Sequence, residues 1–162
     1  MDRRSFIKLG AGGAGVLALS KFLMAGQAIA AERIAKINKT DAEWKRRLTA
    51  EQYLVMRQDG TEPPYSSPLE REKRKGLFLC VACDLPLFPS QFKYESGTGW
   101  PSFYDVLPGR VETKTDFKLI MPRTEYHCVR CGGHQGHVFK DGPKPTGLRY
   151  CNNGVALKFV PD

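Results

Sequence analysis

Residues 127–151 read HCVRCGGHQGHVFKDGPKPTGLRYC. The stretch opens on a C-x2-C knuckle, Cys128-Val129-Arg130-Cys131, turns at Gly132-Gly133, and resumes after a Gly- and Pro-rich turn as a short β-rich run, Leu148 to Cys151. Short runs of β-branched and aromatic residues bounded by Gly, Pro, Asn and Asp are the pattern of strands joined by turns. The pattern continues on both sides of it, at Gly76 to Val81, Val106 to Val111, Phe117 to Met121, Glu125 to Val129 and Val155 to Val160. These runs predict a mainly β fold, an antiparallel sandwich or barrel-like core. Two short helices precede it. Thr40-x-x-Glu43 and Thr49-x-x-Gln52 are capping boxes, in which side chains satisfy the first amide donors of a helix, and both helices are expected to pack outside the main core. Asp59-Gly60 is a turn, and Thr61 to Pro68 (TEPPYSSP) is a rigid extended connection, because proline fixes its own φ and biases the residue before it.

The chain has 162 residues, 41% of them hydrophobic, enough for one domain with appendages. Seven Phe, six Tyr and two Trp beyond residue 30 can fill a core, which excludes a wholly disordered chain. The first 30 residues read as an export signal. Arg3-Arg4 lies in DRRSFIK, which resembles the twin-arginine motif; a weakly apolar Gly-rich stretch follows, then the small-residue site Ala28-Ile29-Ala30. Five glycines within residues 10 to 26 disfavour the alternative, a helix of the mature domain. The expected division is a signal peptide at 1–30 and a mature domain at 31–162, with the twin-arginine translocase as a partner and the periplasm as destination. Removing residues 1–30 takes away Arg3, Arg4, Lys8, Lys21 and Asp2, so the formal charge falls from +8 to +5. So mild an excess specifies no nucleic-acid partner, and Arg71 to Lys75 reads as a solvated turn.

Five cysteines divide four and one. Cys80, Cys83, Cys128 and Cys131 form two C-x2-C knuckles separated by 44 residues, able to close a tetrahedral thiolate shell around one structural zinc ion, with glycine after the second knuckle to turn the chain tightly. Two disulfides remain the alternative in an oxidising compartment. Cys151 is left over and is a candidate nucleophile. Arg149, two residues away on the same strand face, would lower its thiol pKa, and Asn153 shares that face; a buried small hydrophobe is the plainer reading of a free cysteine. His134 and His137 follow the second knuckle and are candidate proton donors near neutral pH. They could instead be metal ligands, although four cysteines already fill the shell. Trp100, between Gly99 and Pro101, is either a core residue or a rigid aromatic wall.

Taken in order and spacing, TEPPYSSP, the two knuckles, LPLF, KYESGTGWPSF, HCVRCGGHQGHVFKDGPKPTGLRYC and NNGVALKF make residues 61–160 resemble a B-type peptide methionine sulfoxide reductase, the family that reduces the R epimer of methionine sulfoxide. The resemblance implies two antiparallel sheets with peripheral N-terminal helices, structural zinc on the four paired cysteines, and Cys151 as catalytic cysteine. It implies His134, His137 and Asn153 as polar active-site residues, Arg149 beside the nucleophile, and Trp100 against the substrate methyl group. Oxidised methionine in proteins or peptides would be the substrate and a thioredoxin-like thiol the reductant. Two positions depart from the family pattern. Thr98 stands where many relatives have a resolving cysteine, and Gly154 where serine is frequent. Two other readings are an exported zinc-ribbon binding module, which leaves Cys151 and the histidines unexplained, and a thiol-disulfide oxidoreductase working through its knuckles.

Overall fold

A computed structural model describes residues 34–119 and 121–162; the expected signal peptide lies outside the described residues. Both capping boxes are present. Thr40 starts helix α1 (Asp41–Arg47) and Thr49 starts α2 (Ala50–Gln58), each with reciprocal side-chain and backbone hydrogen bonds. Helix α2 ends at Asp59, which takes the left-handed conformation at φ 51°. The helices flank the sheets, yet they also feed the core, burying Trp44, Val55 and Met56 in the same apolar cluster as the strands. No helix among the described residues is long and apolar enough to cross a membrane.

Among the described residues a 3-10 turn (Pro68–Arg71) leads into nine strands, β1 (Gly76–Cys80), β2 (Pro86–Pro89), β3 (Lys93–Tyr94), β4 (Ser102–Phe103), β5 (Val111–Asp116), β6 (Arg123–Cys128), β7 (His134–Phe139), β8 (Arg149–Asn152) and β9 (Leu157–Pro161). They form two sheets, β2-β1-β9 and β3-β4-β8-β7-β6-β5, and every pairing is antiparallel. Neither sheet closes on itself, so the core is a sandwich and not a barrel. Aromatic rings join the sheets. Phe88 of β2 stacks on Phe103 of β4 at 4.1 Å between centroids, Phe78 of β1 meets Phe103 edge-on at 5.0 Å, and Phe88 meets Tyr126 of β6 edge-on at 6.4 Å. Such offset and edge contacts add to the burial of large apolar area.

Two expected strands do not form. Val106 to Val111 is interrupted by a turn at Pro108-Gly109, where Gly109 has φ 70°, and Phe117 to Met121 is the connection between β5 and β6. There Asp116 Oδ1 accepts from the Lys118 amide and bends the chain out of the ladder, leaving Phe117, Leu119 and Met121 exposed. The strand between them, VETKTD, has little apolar alternation because it is the edge of the larger sheet.

Candidate active site and metal centre

The first knuckle begins at Cys80, the last residue of β1, and the second at Cys128, the last residue of β6. Each closes in a turn whose fifth residue is left-handed, Asp84 at φ 61° and Gly132 at φ 67°, with the amide of that residue donating to the first cysteine's carbonyl at 2.9 and 2.8 Å. The same turn twice brings the four sulfurs within 4.8 Å of one another. Between the knuckles, Cys80 lies 3.6 Å from Cys131 and Cys83 lies 3.5 Å from Cys128, sulfur to sulfur. A tetrahedron of metal–sulfur bonds of about 2.3 Å has edges of about 3.8 Å, whereas a disulfide needs about 2.05 Å. The residues therefore fit a metal ion and not disulfides, and all five cysteines are free. Thiol-to-thiol hydrogen bonds push Cys128 down and Cys131 and Cys80 up, because one thiolate is stabilised by its neighbours while further negative charge repels. A divalent cation removes that repulsion. Arginines fasten the knuckle carbonyls: Arg47 donates to Ala82 O, Arg57 to Cys131 O and Arg130 to Cys83 O. This tie of the helices to the metal centre is not visible in the sequence.

Cys151 sits on β8 directly opposite His137 of β7 on one side and Ser102 of β4 on the other. Directly opposed residues of antiparallel strands share a face, so the register lines up Lys114, Glu125, His137, Cys151, Ser102 and Tyr94 across the larger sheet. Phe103, Tyr150 and Tyr126 take the opposite, core face. The approach of β7 to β8 requires Gly136, since a Cβ there would lie 1.9 Å from the Cys151 carbonyl oxygen. A cavity of about 120 Å³ opens over the row, lined by Trp100, Arg123, His137, Phe139, Cys151 and Asn153. A larger depression of about 620 Å³ between Glu72–Leu77 and Pro89–Glu95 is lined by charged groups and contains neither cysteine nor histidine.

The histidines are held by carboxylates that the sequence reading does not single out. His134 is buried; its Nδ1 bonds Glu125 Oε1 at 2.7 Å, and its Nε2 is buried with no partner among the described residues. His137 Nε2 bonds Asp116 Oδ2 at 2.8 Å, and Arg123 holds the same oxygen at 2.6 Å. Burial lowers the His137 pKa more than Asp116 restores it, so the ring is neutral near pH 7. Asp116 is held well below the usual carboxylate range by the Lys118 amide and by His137. Burial pushes Glu125 up, but hydrogen bonds from His127 and His134 outweigh it and leave its pKa at about 2. His127 thus shares Glu125 with His134, a supporting role.

Arg149 makes a two-pronged bond to Asp141 at 2.9 and 2.8 Å and lies over the Phe139 ring at 4.4 Å. It lowers the Cys151 pKa as expected from the sequence, and Thr98 does so too, but burial is the larger effect and the thiol is raised on balance. Cys151 consequently rests as a thiol. Trp100 is fixed by an Nε1 bond to Glu62 O at 3.1 Å. The Glu62 amide donates to Asn153 Oδ1, and its buried carboxylate accepts from the Gly154 and Val155 amides at 2.6 and 2.8 Å. The TEPPYSSP segment is therefore the clamp on both Trp100 and Asn153; it is not extended throughout as its prolines suggest, because it turns at Pro64-Tyr65 with Tyr65 left-handed at φ 63°. Asn153 Nδ2 donates to Gln135 O, leaving one amide proton for a ligand. At Gly154 a Cβ would meet Ser67 Oγ at 2.0 Å, so glycine fits the Ser67 side chain where it stands.

A family model described as the SelR domain matches residues 48–161. The peptide methionine sulfoxide reductase MsrB of Agrobacterium fabrum is 52% identical over 127 residues, 78% of this chain and 94% of that one. MsrB of Methanosarcina barkeri is 56% identical over 124 residues, 76% and 87% of the two chains. The chloroplastic peptide methionine sulfoxide reductase B1 of Arabidopsis thaliana is 50% identical over 130 residues, 80% of this chain and 64% of its own.

The carboxylate arrangement has a measurable consequence. A carboxyl depressed in the folded state stabilises above its unfolded pKa, and that stability is lost as pH falls through the folded value. Glu125 should then contribute fully above about pH 5 and progressively less down to about pH 2. Urea denaturation across that range should show a slope that is shallower in Glu125→Gln; identical slopes would exclude this role.

Proposed function

The chain belongs to the B-type peptide methionine sulfoxide reductases, the SelR-domain family, and from that membership we propose that it reduces the R epimer of methionine sulfoxide in proteins, with Cys151 as nucleophile. The observation that carries the reading is the register placing Cys151 directly opposite His137 beneath a small cavity walled by Trp100. The Cys151 thiol gives its proton to a histidine, its sulfur attacks the electrophilic sulfoxide sulfur, and the histidine passes that proton on to the sulfoxide oxygen. Two electrons pass to the substrate sulfur, methionine leaves, and the oxygen remains on Cys151 as sulfenic acid. The histidine ends as it began, having carried the thiol proton to the oxygen. His137 has Nε2 engaged with Asp116 and so works through Nδ1; His134 has Nδ1 engaged with Glu125 and so works through Nε2. The apolar wall of Trp100 favours the substrate methyl group. The opposite epimer would set its polar oxygen against the ring without a partner, which is how handedness at sulfur is selected.

Four thiolates at tetrahedral spacing match zinc, and with every position filled the ion is structural, tying β1 to β6. With Thr98 beside Cys151 and the other four cysteines given to the metal, the cycle uses one cysteine: the sulfenic acid waits for an external thiol, which attacks it and loses water to form a mixed disulfide that a second thiol resolves. A thioredoxin-fold donor suits that step, since the periplasm keeps no glutathione buffer. Arg3-Arg4 and Ala28-Ile29-Ala30 support export there by the twin-arginine translocase, with oxidised envelope proteins as substrates.

The mature chain, carrying one zinc per chain by metal analysis, should reduce the R and not the S epimer in peptides with dithiothreitol, and Cys151→Ser should be inactive; S preference or an active serine variant would overturn the assignment. After one equivalent of substrate without reductant, mass spectrometry should find a dimedone adduct on Cys151 with zinc retained, whereas a disulfide from Cys151 to a knuckle cysteine with zinc release would show a different cycle. Residues 1–40 fused to a reporter should direct it to the periplasm of a twin-arginine-competent cell, and a cytoplasmic reporter would count against export.

A further inference from the structure

Gln135 lies between the two histidines in the chain, but its side chain goes to the metal centre. Gln135 and Asn152 are fully buried on the adjacent strands β7 and β8. Buried amides are tolerated where their polar atoms are paired, and every polar side-chain atom of these two is. Gln135 Nε2 donates to Gly133 O at 3.5 Å and to Cys80 Sγ at 3.6 Å, and Gln135 Oε1 accepts from Asn152 Nδ2 at 3.5 Å. The second Asn152 amide proton goes to Asn153 O at 2.8 Å, and Asn152 Oδ1 accepts from the Tyr126 hydroxyl at 2.7 Å. The direction of the chain is fixed, because a carbonyl only accepts: the Gln135 nitrogen must face Gly133 O, which leaves its oxygen for Asn152.

The main chain of Gln135 completes the link. Its carbonyl accepts from both the backbone amide of Asn153, at 2.8 Å, and Asn153 Nδ2, at 3.0 Å. One residue thus grips a metal-centre sulfur with its side chain and a cavity residue with its backbone. We propose that Gln135 is a positioning residue through which the metal centre sets the catalytic strand: the N–H···S bond to Cys80 fixes Gln135, and its carbonyl, with the Asn152 amide, passes that position to the two residues after Cys151. The same bond draws charge from the Cys80 thiolate, making it a weaker nucleophile and slowing its loss of metal. The catalytic half of this inference rests on Cys151 being the nucleophile.

Gln135→Met keeps the volume of the side chain and removes its donors and acceptor. Asn152 keeps its bonds to Asn153 and Tyr126, and Gly133 O keeps the Cys128 amide. In the zinc-loaded mature chain, transfer of zinc to a chromogenic chelator should become about tenfold faster, and kcat on R-methionine sulfoxide with dithiothreitol should fall about tenfold at unchanged KM, the scale found for groups that orient metal ligands. Adding Asn152→Leu should cost no more than the worse single substitution, since the two amides act as one unit. Unchanged zinc transfer would overturn the proposal, as would faster transfer with unchanged kcat, which would make metal centre and catalytic strand independent. If Gln135→Met does not fold, Gln135→Asn, whose shorter amide falls short of Cys80, carries the same readouts. An inactive wild-type chain would defeat the reductase reading instead; the Asn153 side-chain amide resonance, displaced in Gln135→Met if the link exists and unmoved if it does not, would still decide this proposal.

Discussion

Four sulfur atoms drawn within 4.8 Å of one another are the constraint on which the rest depends. They join the end of β1 in the smaller sheet to the end of β6 in the larger one, and β7 starts three residues beyond the second knuckle. The metal turn therefore sets where β7 begins and hence which of its residues face the cavity. Once β7 is placed, Gly136 permits the close run alongside β8 that brings Cys151 opposite His137. A fault in the turn would move the histidines relative to Cys151 although it lies outside the cavity.

The cavity reconciles opposing demands. Burial leaves an apolar wall at Trp100 beside Cys151, but it also raises the Cys151 thiol despite Arg149 and Thr98. Arg149 spends much of its charge on Asp141, whose carboxylate screens it from the sulfur. The histidines meet the same environment differently: each gives one nitrogen to a carboxylate, Nδ1 in His134 and Nε2 in His137. Burial keeps the His137 ring neutral although Asp116 holds its Nε2.

The knuckles, the capping boxes and the runs that became β1, β6, β8 and β9 were legible because each carries a local signature, either fixed spacing or a bounded apolar run. Strand β7 was not, since His134-Gln135-Gly136-His137 has no apolar alternation; its pairing comes from neighbours on both sides. Asp116, Glu125 and Glu62 escaped for a related reason. A carboxylate on an ordinary strand or loop looks solvated until the register shows it opposite a histidine or beneath an amide pair. Among the site residues, Cys151, His137, Trp100 and Asn153 do meet at one cavity, whereas His134 lies deeper and Arg149 stands beside it in partnership with Asp141.

At about 120 Å³ the cavity is well below the roughly 300 Å³ at which pockets begin to enclose a whole small ligand. On the function proposed above, a cavity of that size admits only the tip of a methionine side chain and leaves the peptide backbone carrying it at the rim. Repair then has a threshold set by the damaged protein. A sulfoxide on an exposed loop is presented continuously, while one in a packed core is presented only during local opening, in proportion to the open population. Oxidation of a core methionine makes that opening more frequent by placing a polar group among apolar neighbours, so the lesions that loosen a protein most are also the ones that become easiest to reach.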